Sequence, residues 1–279
     1  MQILYKILIE MNPRKSLENS NYHLNSINNI IDNLEFYSKR FLNNEIFTKV
    51  ELKKYERKII INYSKDFHLK YIHQRINGLN CIKKYSFLFE FELNIMLKAI
   101  EYMDIFYLSF NIIYPITDIS LICLLISLQF NGVCSRTKNI KIFLSFITKK
   151  INNLIEVENI ILRVLKYNLC VDTSLDIINL IMIKYFKIYF EDMSEKKNFL
   201  FLFYKNTFDF IMYIIGDPRY LDLKLYDLSY YIFNYIVNLI FKTYRKGFIE
   251  NIFIRSYCNK VNLKKCEIVL QSIYGNFTK

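Results

Sequence analysis

Residues Met96–Asp104 read MLKAIEYMD, and residues Val157–Leu169 read VENIILRVLKYNL. In each stretch apolar residues return every three or four positions, which is typical of one face of an α-helix. Between them, residues Ile119–Leu128 are apolar on nearly all sides of a helical wheel, and such a helix is buried at the centre of a bundle. The three stretches predict an all-α fold.

The scarcity of turn-forming residues agrees with this prediction. The chain has 279 residues but only 5 Gly and 3 Pro, while 53% of its residues are hydrophobic and 17% are aromatic. Few Gly and Pro disfavour sandwiches, barrels and glycine-rich phosphate loops, and favour long helices. A chain of this length can form one large core or two smaller ones.

Apolar periodicity predicts two sets of five helices after a polar start. Residues 1–70 are predicted to be an N-terminal extension, partly disordered and then helical, and the following domains are 71–170 and 171–279. The predicted helices lie at about 72–88, 92–111, 117–130, 138–149 and 151–167, then at about 174–191, 196–214, 225–243, 248–257 and 262–274.

Positive charge is spread thinly over the chain, which has a net charge of +12. Nucleic-acid interfaces usually show tight basic blocks with interleaved aromatic residues. Only short pairs such as Lys53-Lys54 and Lys264-Lys265 occur here. We therefore do not expect a nucleic-acid partner, and the basic surface suits solvent or an acidic partner.

The cysteines and histidines do not form a metal-binding pattern. The six cysteines never form C-x-x-C, and all three histidines precede position 74. A structural zinc site needs four such ligands close together, so we expect no metal and mostly buried, reduced thiols in an intracellular protein. Nucleotide-binding, hydrolase and metalloprotease motifs are also missing from the sequence. We predict a protein that is not an enzyme and has no cofactor and no small-molecule ligand.

Residues Tyr107–Phe130 are apolar over a length that would span a bilayer. Pro115, Thr117 and Asp118 interrupt this stretch, and they predict a turn with polar capping between two shorter buried helices. We therefore expect no membrane partner.

The two stretches quoted first carry a resemblance to a known family. The first is similar to the cyclin-box run L-x-L-A-V-N-Y-I-D-R-F. The second resembles L-x-x-E-x-x-I-L-x-x-L-x-F-x-L followed by a short loop and Thr, here Thr173. Tyr220-Leu221 and residues 263–266 (LKKC) resemble, less closely, the lead into a second box and its last helix.

The resemblance to cyclins implies tandem five-helix cyclin-box bundles with an N-terminal helical extension, the second box being the more divergent. It also implies a function. A cyclin is a regulatory subunit that binds and activates a cyclin-dependent protein kinase by positioning its C-helix and activation loop. Such a protein works in cell-cycle or transcriptional control, in the nucleus or cytoplasm.

Arg75 and Asp104 match the positions of a buried ion pair that joins the first two helices of a cyclin box. A planar guanidinium suits such a site because it can bind a carboxylate through two parallel hydrogen bonds. The resemblance implies a structural pair, whose disruption costs about 3–5 kcal/mol. Two separate surface charges are the alternative.

Glu158 matches the glutamate that cyclins present to the kinase, where it acts with a lysine near the end of the third helix. That lysine position is Gln129 here. An amide still donates to a carbonyl, but it makes a weaker hydrogen bond than a charged group. Without its flanking motif, Glu158 would be read as a solvated helix carboxylate.

The substrate-docking patch of cell-cycle cyclins matches the start of the first predicted helix, and here the patch is degenerate. An apolar groove needs large apolar side chains, and the residues at these positions, apart from Arg75 and Ile76, are Gln74, Asn77, Gly78 and Cys81. We expect no substrate recruitment through this patch.

Two other readings stay open. A general transcription factor of the TFIIB type also has two cyclin folds, but it normally carries an N-terminal zinc ribbon, and no cysteine precedes Cys81. The other reading is a cyclin-fold adaptor without kinase binding, for which Gln129 is the main argument.

Overall fold

The computed structural model describes residues 27, 30, 31, 65–109, 114–131, 138–189, 196–244, 264 and 266–270. Every regular element within these ranges is helical, and no strand occurs in them. The prediction of an all-α fold is confirmed. The predicted helix at 248–257 and most of the extension at 1–70 lie outside the described residues, although Ile27 and Ile31 are helical and buried.

Five helices form what we call the first bundle, and three more form the second bundle. The first bundle comprises α1 (Lys65–Leu88), α2 (Leu93–Ser109), α3 (Ile116–Asn131), α4 (Lys138–Lys150) and α5 (Leu154–Val164). The second bundle comprises α6 (Ser174–Tyr189), α7 (Lys196–Ile214) and α8 (Leu225–Tyr244), with a short 3₁₀ helix at Pro218–Asp222 between α7 and α8.

The predicted helix limits agree with the observed ones to within three residues, except at the start of α1. This helix was expected from about residue 72 and begins at Lys65. The polar and charged residues of its first turns carry no clear apolar stripe, so periodicity placed the start too late. The predicted domain boundary at 70/71 therefore falls inside α1.

The central helix of the first bundle is α3, which packs against α1, α2, α4 and α5. Its apolar residues face all of these neighbours, and Ile119, Leu121, Ile122 and Leu124 are fully buried. A helix surrounded on all sides needs apolar residues around its whole circumference, and the sequence supplies them. In the second bundle α8 packs against both α6 and α7.

The long apolar stretch Tyr107–Phe130 is divided between α2 and α3, since α2 ends at Ser109 and α3 begins at Ile116. At the start of α3, the backbone N–H groups of Asp118 and Ile119 both donate to the carbonyl of Pro115, at 3.0 and 3.2 Å. None of the helices described here is long and apolar enough to cross a membrane.

The link between the bundles begins with a tight reversal after α5. Lys166 and Tyr167 both adopt left-handed backbone conformations, with φ of 53° and 55°. The N–H of Tyr167 donates to the carbonyl of Leu162 at 2.8 Å, which satisfies one of the free carbonyls of the last helical turn. Further along, the Tyr102 hydroxyl donates to the carbonyl of Leu169 at 2.7 Å and fixes the link to α2.

Candidate functional site

A buried ion pair joins α1 to α2. The guanidinium of Arg75 donates to both carboxylate oxygens of Asp104, through Nε to Oδ1 at 2.8 Å and through Nη2 to Oδ2 at 2.9 Å. Both side chains are buried. The two residues that the cyclin resemblance pairs are thus in contact, with the two parallel bonds that a guanidinium forms best.

Tyr71, one turn before Arg75 on α1, belongs to the same cluster. Its hydroxyl donates to Oδ1 of Asp104, and its ring stacks on that of Tyr107 with centroids 4.9 Å apart. Burial, followed by the negative charge of Asp104, raises the pKa of Tyr71 well above its usual value. The tyrosine therefore stays protonated and donates to the carboxylate, a contact that the sequence pattern did not indicate.

The charge state of Arg75 is set by opposing effects. Burial lowers the pKa of the guanidinium, but the charge of Asp104 and the hydrogen bonds to it raise the pKa above its usual value. The guanidinium therefore keeps its positive charge. Because the pair is closed off from solvent, it acts as a structural link rather than as a chemical site.

The same cluster continues from the first bundle to the segment that follows α7. Nη1 of Arg75 donates to the carbonyl of Ile215 at 2.6 Å. The hydroxyl of Tyr220, in the 3₁₀ helix, donates to the buried carboxylate of Glu101 at 3.0 Å. We call Tyr71, Arg75, Glu101, Asp104 and Tyr220, with the carbonyl of Ile215, the interbundle network.

The residues matched to kinase binding lie on α3 and α5. Gln129 is exposed near the end of α3, and Glu158 is partly buried in the second turn of α5. The two helices pack against each other. On the same two helices Phe130 is 44% exposed and Ile155 is 75% exposed. We call Gln129, Phe130, Ile155 and Glu158 the α3/α5 surface.

Glu158 differs from a fully solvated carboxylate, because partial burial raises its pKa. It lies one residue after Val157, which is in the core, and three residues after the exposed Ile155. A carboxylate in this position can accept hydrogen bonds from a partner and has already lost part of its hydration. An exposed apolar side chain beside this carboxylate is typical of the centre of a protein–protein interface.

The positions matched to the cyclin docking patch have different surroundings. Gly78 and Cys81 are buried, Gln74 is partly buried and Asn77 is exposed. The Cys81 thiol is 3.8 Å from the carbonyl of Thr117 on α3. The middle of α1 therefore offers no groove of large apolar side chains at these four positions.

No family model matches the chain, and no curated protein matches it closely enough to be a relative. Among the described residues, no three His, Cys, Asp or Glu side chains are placed to hold a metal ion. Two features of the described structure bear on function, the α3/α5 surface and the interbundle network.

Proposed function

We propose that this chain is a cyclin-like regulatory subunit that binds and activates a cyclin-dependent protein kinase through its α3/α5 surface. The observation that carries the proposal is the combination of a partly buried Glu158 with the exposed side chains of Phe130 and Ile155 on two helices that pack together. The order of α1–α5 and the buried Arg75–Asp104 pair support the cyclin-like assignment.

The proposed role of each residue follows from its chemistry. Glu158 accepts hydrogen bonds from backbone N–H groups near the kinase C-helix, and the Gln129 amide donates to a carbonyl there. Phe130 and Ile155 supply apolar contacts that exclude water from these polar bonds. The chain contributes binding energy to the active kinase conformation and no catalytic atom.

The first test is an affinity pull-down from the organism that encodes the chain, followed by mass spectrometry and a kinase assay on the eluate. A cyclin-dependent kinase at near-equal amounts, with Glu158→Ala reducing its recovery about tenfold, is the expected result, because a hydrogen bond to a charged group is worth about 1.5–3 kcal/mol. Glu156→Ala is the matched control, since Glu156 is an exposed carboxylate on the same helix.

Gln129 favours a second candidate, a cyclin-fold adaptor that does not bind a kinase. A neutral amide makes a weaker hydrogen bond than the lysine that cyclins use. Gln129→Lys should strengthen kinase recovery if the first proposal is right. If neither Gln129→Lys nor Glu158→Ala changes what is recovered, the adaptor is favoured, and recovery of RNA polymerase or promoter-binding factors without a kinase would indicate the transcription-factor class.

A further inference from the structure

The outer face between α1 and α4 exposes apolar and basic side chains together. Asn139 at the start of α4 donates from Nδ2 to the carbonyl of Phe89, 3.1 Å away, just after the end of α1. Near the other end of α4, Lys150 Nζ lies 5.4 Å from the ring centroid of Tyr85. The two helices therefore run antiparallel where they meet, and we call the surface along this contact the α1/α4 groove.

One end of this groove is aliphatic. Leu88 on α1 is 63% exposed and Ile142 on α4 is 46% exposed. Phe146 is partly exposed and lies one turn after Ile142. Its ring packs against the ring of Tyr85, with the two ring centroids 5.0 Å apart. Single exposed apolar residues are common on protein surfaces, but several along one groove mark a binding site.

The other end of the groove is basic. Lys150 Nζ lies over the rings of Tyr85 and Phe146 at 5.4 and 5.5 Å, and Lys84 Nζ lies over Tyr85 at 5.6 Å. Lys149 is exposed beside Lys150. Within the described part of the chain, none of these lysines forms an ion pair with a carboxylate.

Acidic residues avoid the two walls of the groove. None occurs from residue 71 to residue 89 or anywhere in α4. The first acids after α1 are Glu90 and Glu92, at the aliphatic end and away from the lysines. The surface therefore has two poles, an aliphatic one with Glu90 and Glu92 beyond it and a cationic one on α1 and α4. Near the cationic pole α3 adds one carboxylate, that of Asp118, since Asp118, Lys84 and Lys150 all influence the pKa of the Cys81 thiol.

We propose that the α1/α4 groove, lined by Lys84, Tyr85, Leu88, Ile142, Phe146 and Lys150, is a docking site for an acidic peptide segment of a partner protein. Lys84 and Lys150 bind carboxylates of the peptide, and the aliphatic end takes a Leu, Ile or Phe side chain. This site lies further along α1 than the degenerate patch at residues 74–81, and the proposal does not depend on kinase binding by the α3/α5 surface.

Charge complementarity and apolar exposure together select this occupant. A nucleic acid would satisfy the lysines but would leave Leu88 and Ile142 in water. An acidic peptide with an apolar side chain covers both poles. From Ile142 to Lys150 the helix rises about 12 Å, and an extended peptide covers about 3.3 Å per residue. The apolar residue and the carboxylate of the peptide are therefore about three or four positions apart.

The experiment is a selection of random twelve-residue peptides displayed on phage against the full chain, followed by fluorescence anisotropy of the enriched peptides. We expect enrichment of peptides with Asp or Glu three or four positions from Leu, Ile or Phe. Lys84→Glu combined with Lys150→Glu should weaken their binding at least about tenfold. Ile142→Asp should weaken it similarly, while circular dichroism shows that both variants remain folded.

The matched control is Lys205→Glu combined with Lys264→Glu, which makes the same change in net charge at exposed lysines elsewhere and should leave affinity unchanged. Failure to enrich any peptide, enrichment of peptides without carboxylates, or equal weakening by the control would overturn the proposal. Displacement of the peptide by a 20-base-pair DNA duplex at lower concentration than by unlabelled peptide would also overturn it, in favour of a nucleic-acid surface.

Discussion

At Gly78 the backbone of α1 comes close to side chains of α2 and α3. A Cβ atom at this position would lie 2.6 Å from Sδ of Met103, 2.9 Å from Oγ of Ser120 and 3.0 Å from Cγ1 of Ile116. Glycine usually weakens a helix interior, so its presence here is explained by packing. Gly78, one of the positions matched to the docking patch of cyclins, instead allows three helices to meet.

Substitution of Gly78 tests this close approach. Gly78→Val should lower the free energy of unfolding by about 1–3 kcal/mol, because added methyl groups in a tightly packed core force neighbouring side chains from their positions. Asn77→Val is the matched control, since Asn77 is exposed on the same helix and receives the same β-branched residue. Urea denaturation of both variants measures the difference, and equal losses would contradict the packing argument.

At the scale of single residues, some members of the interbundle network could be predicted from the sequence and others could not. Arg75 and Asp104 stood in a recognisable motif and are paired in the structure. Glu101 and Tyr220 lie 119 positions apart, and neither carries a periodic or motif signal that links them. Contacts of this kind arise from how the two bundles pack, which local patterns do not encode.

At the scale of the helix, α6 begins with a reciprocal cap. The backbone N–H of Thr173 donates to Oδ2 of Asp176 at 2.9 Å, and the N–H of Asp176 donates to Oγ1 of Thr173 at 3.2 Å. This is the arrangement of a capping box, with aspartate in the place of the usual glutamate. It satisfies N–H groups that the first turn of a helix leaves free.

Loss of this cap should destabilise the protein. Thr173→Ala should lower the free energy of unfolding by about 1 kcal/mol, the usual cost of removing a capping hydroxyl. Thr148→Ala is the control, because that hydroxyl is exposed and bonds only to carbonyls of its own helix, those of Leu144 and Ser145. Thermal unfolding followed by circular dichroism gives both values, and a larger effect at Thr148 would contradict the capping role.

Asp172, beside the cap, gives the start of α6 a dependence on pH. Burial, and then the negative charge of Asp176, raise the pKa of Asp172 to about 6. Because this pKa is above the unfolded value of about 3.9, the contribution of the carboxyl to stability is fully present below about pH 4. It is lost as the pH rises through about 6.

Asp172→Asn should remove this loss, since an amide stays neutral. At pH 7 the variant should be more stable than the unmodified protein by about 1 kcal/mol, a value reduced for the solvent that screens a half-exposed group. At pH 4 the difference should disappear. Urea denaturation at both pH values checks this, and a difference independent of pH would show that the carboxyl has no raised pKa.

Helix limits were the most predictable feature at this scale. Apolar periodicity and the rarity of Gly and Pro placed α2 to α8 closely, because each limit depends on residues near it in sequence. The 3₁₀ helix at Pro218–Asp222 was missed. The sequence contained a signal for this helix, because an aspartate, Asp217, stands directly before Pro218. In the structure the Asp217 side chain accepts a hydrogen bond from the N–H of Arg219.

At the scale of the whole molecule, a few polar contacts connect the two bundles. Nη1 of Arg75 bonds to the Ile215 carbonyl, the Tyr220 hydroxyl bonds to Glu101, and Nζ of Lys83 lies 3.4 Å from the carbonyl of Met212. All of them join α1 or α2 to the segment around the end of α7. These hydrogen bonds add directional polar contacts to an apolar core that both bundles share.

Removal of one of these bonds should weaken the connection. Tyr220→Phe takes a donor from the buried Glu101 and should lower the free energy of unfolding by about 1–3 kcal/mol. Hydrogen exchange followed by mass spectrometry should show faster exchange near the end of α7 than in the core of α3. Tyr235→Phe, at a half-buried tyrosine of α8, is the control, and equal changes in the two variants would contradict a specific role for the Tyr220 hydroxyl.

The hydrogen bond from Arg75 to the carbonyl of Ile215 spans 140 positions in the chain, and this affects the order of events during synthesis. At about 5–20 residues per second a ribosome needs roughly 7–28 s to make that length of chain. The remainder of α1 and all of α2 are made in the first part of this interval, and for the rest of it one N–H group of the Arg75 guanidinium has no protein acceptor. The first bundle therefore leaves the ribosome with one hydrogen bond of its buried guanidinium unmade, and this bond forms only after the end of α7 has been synthesised.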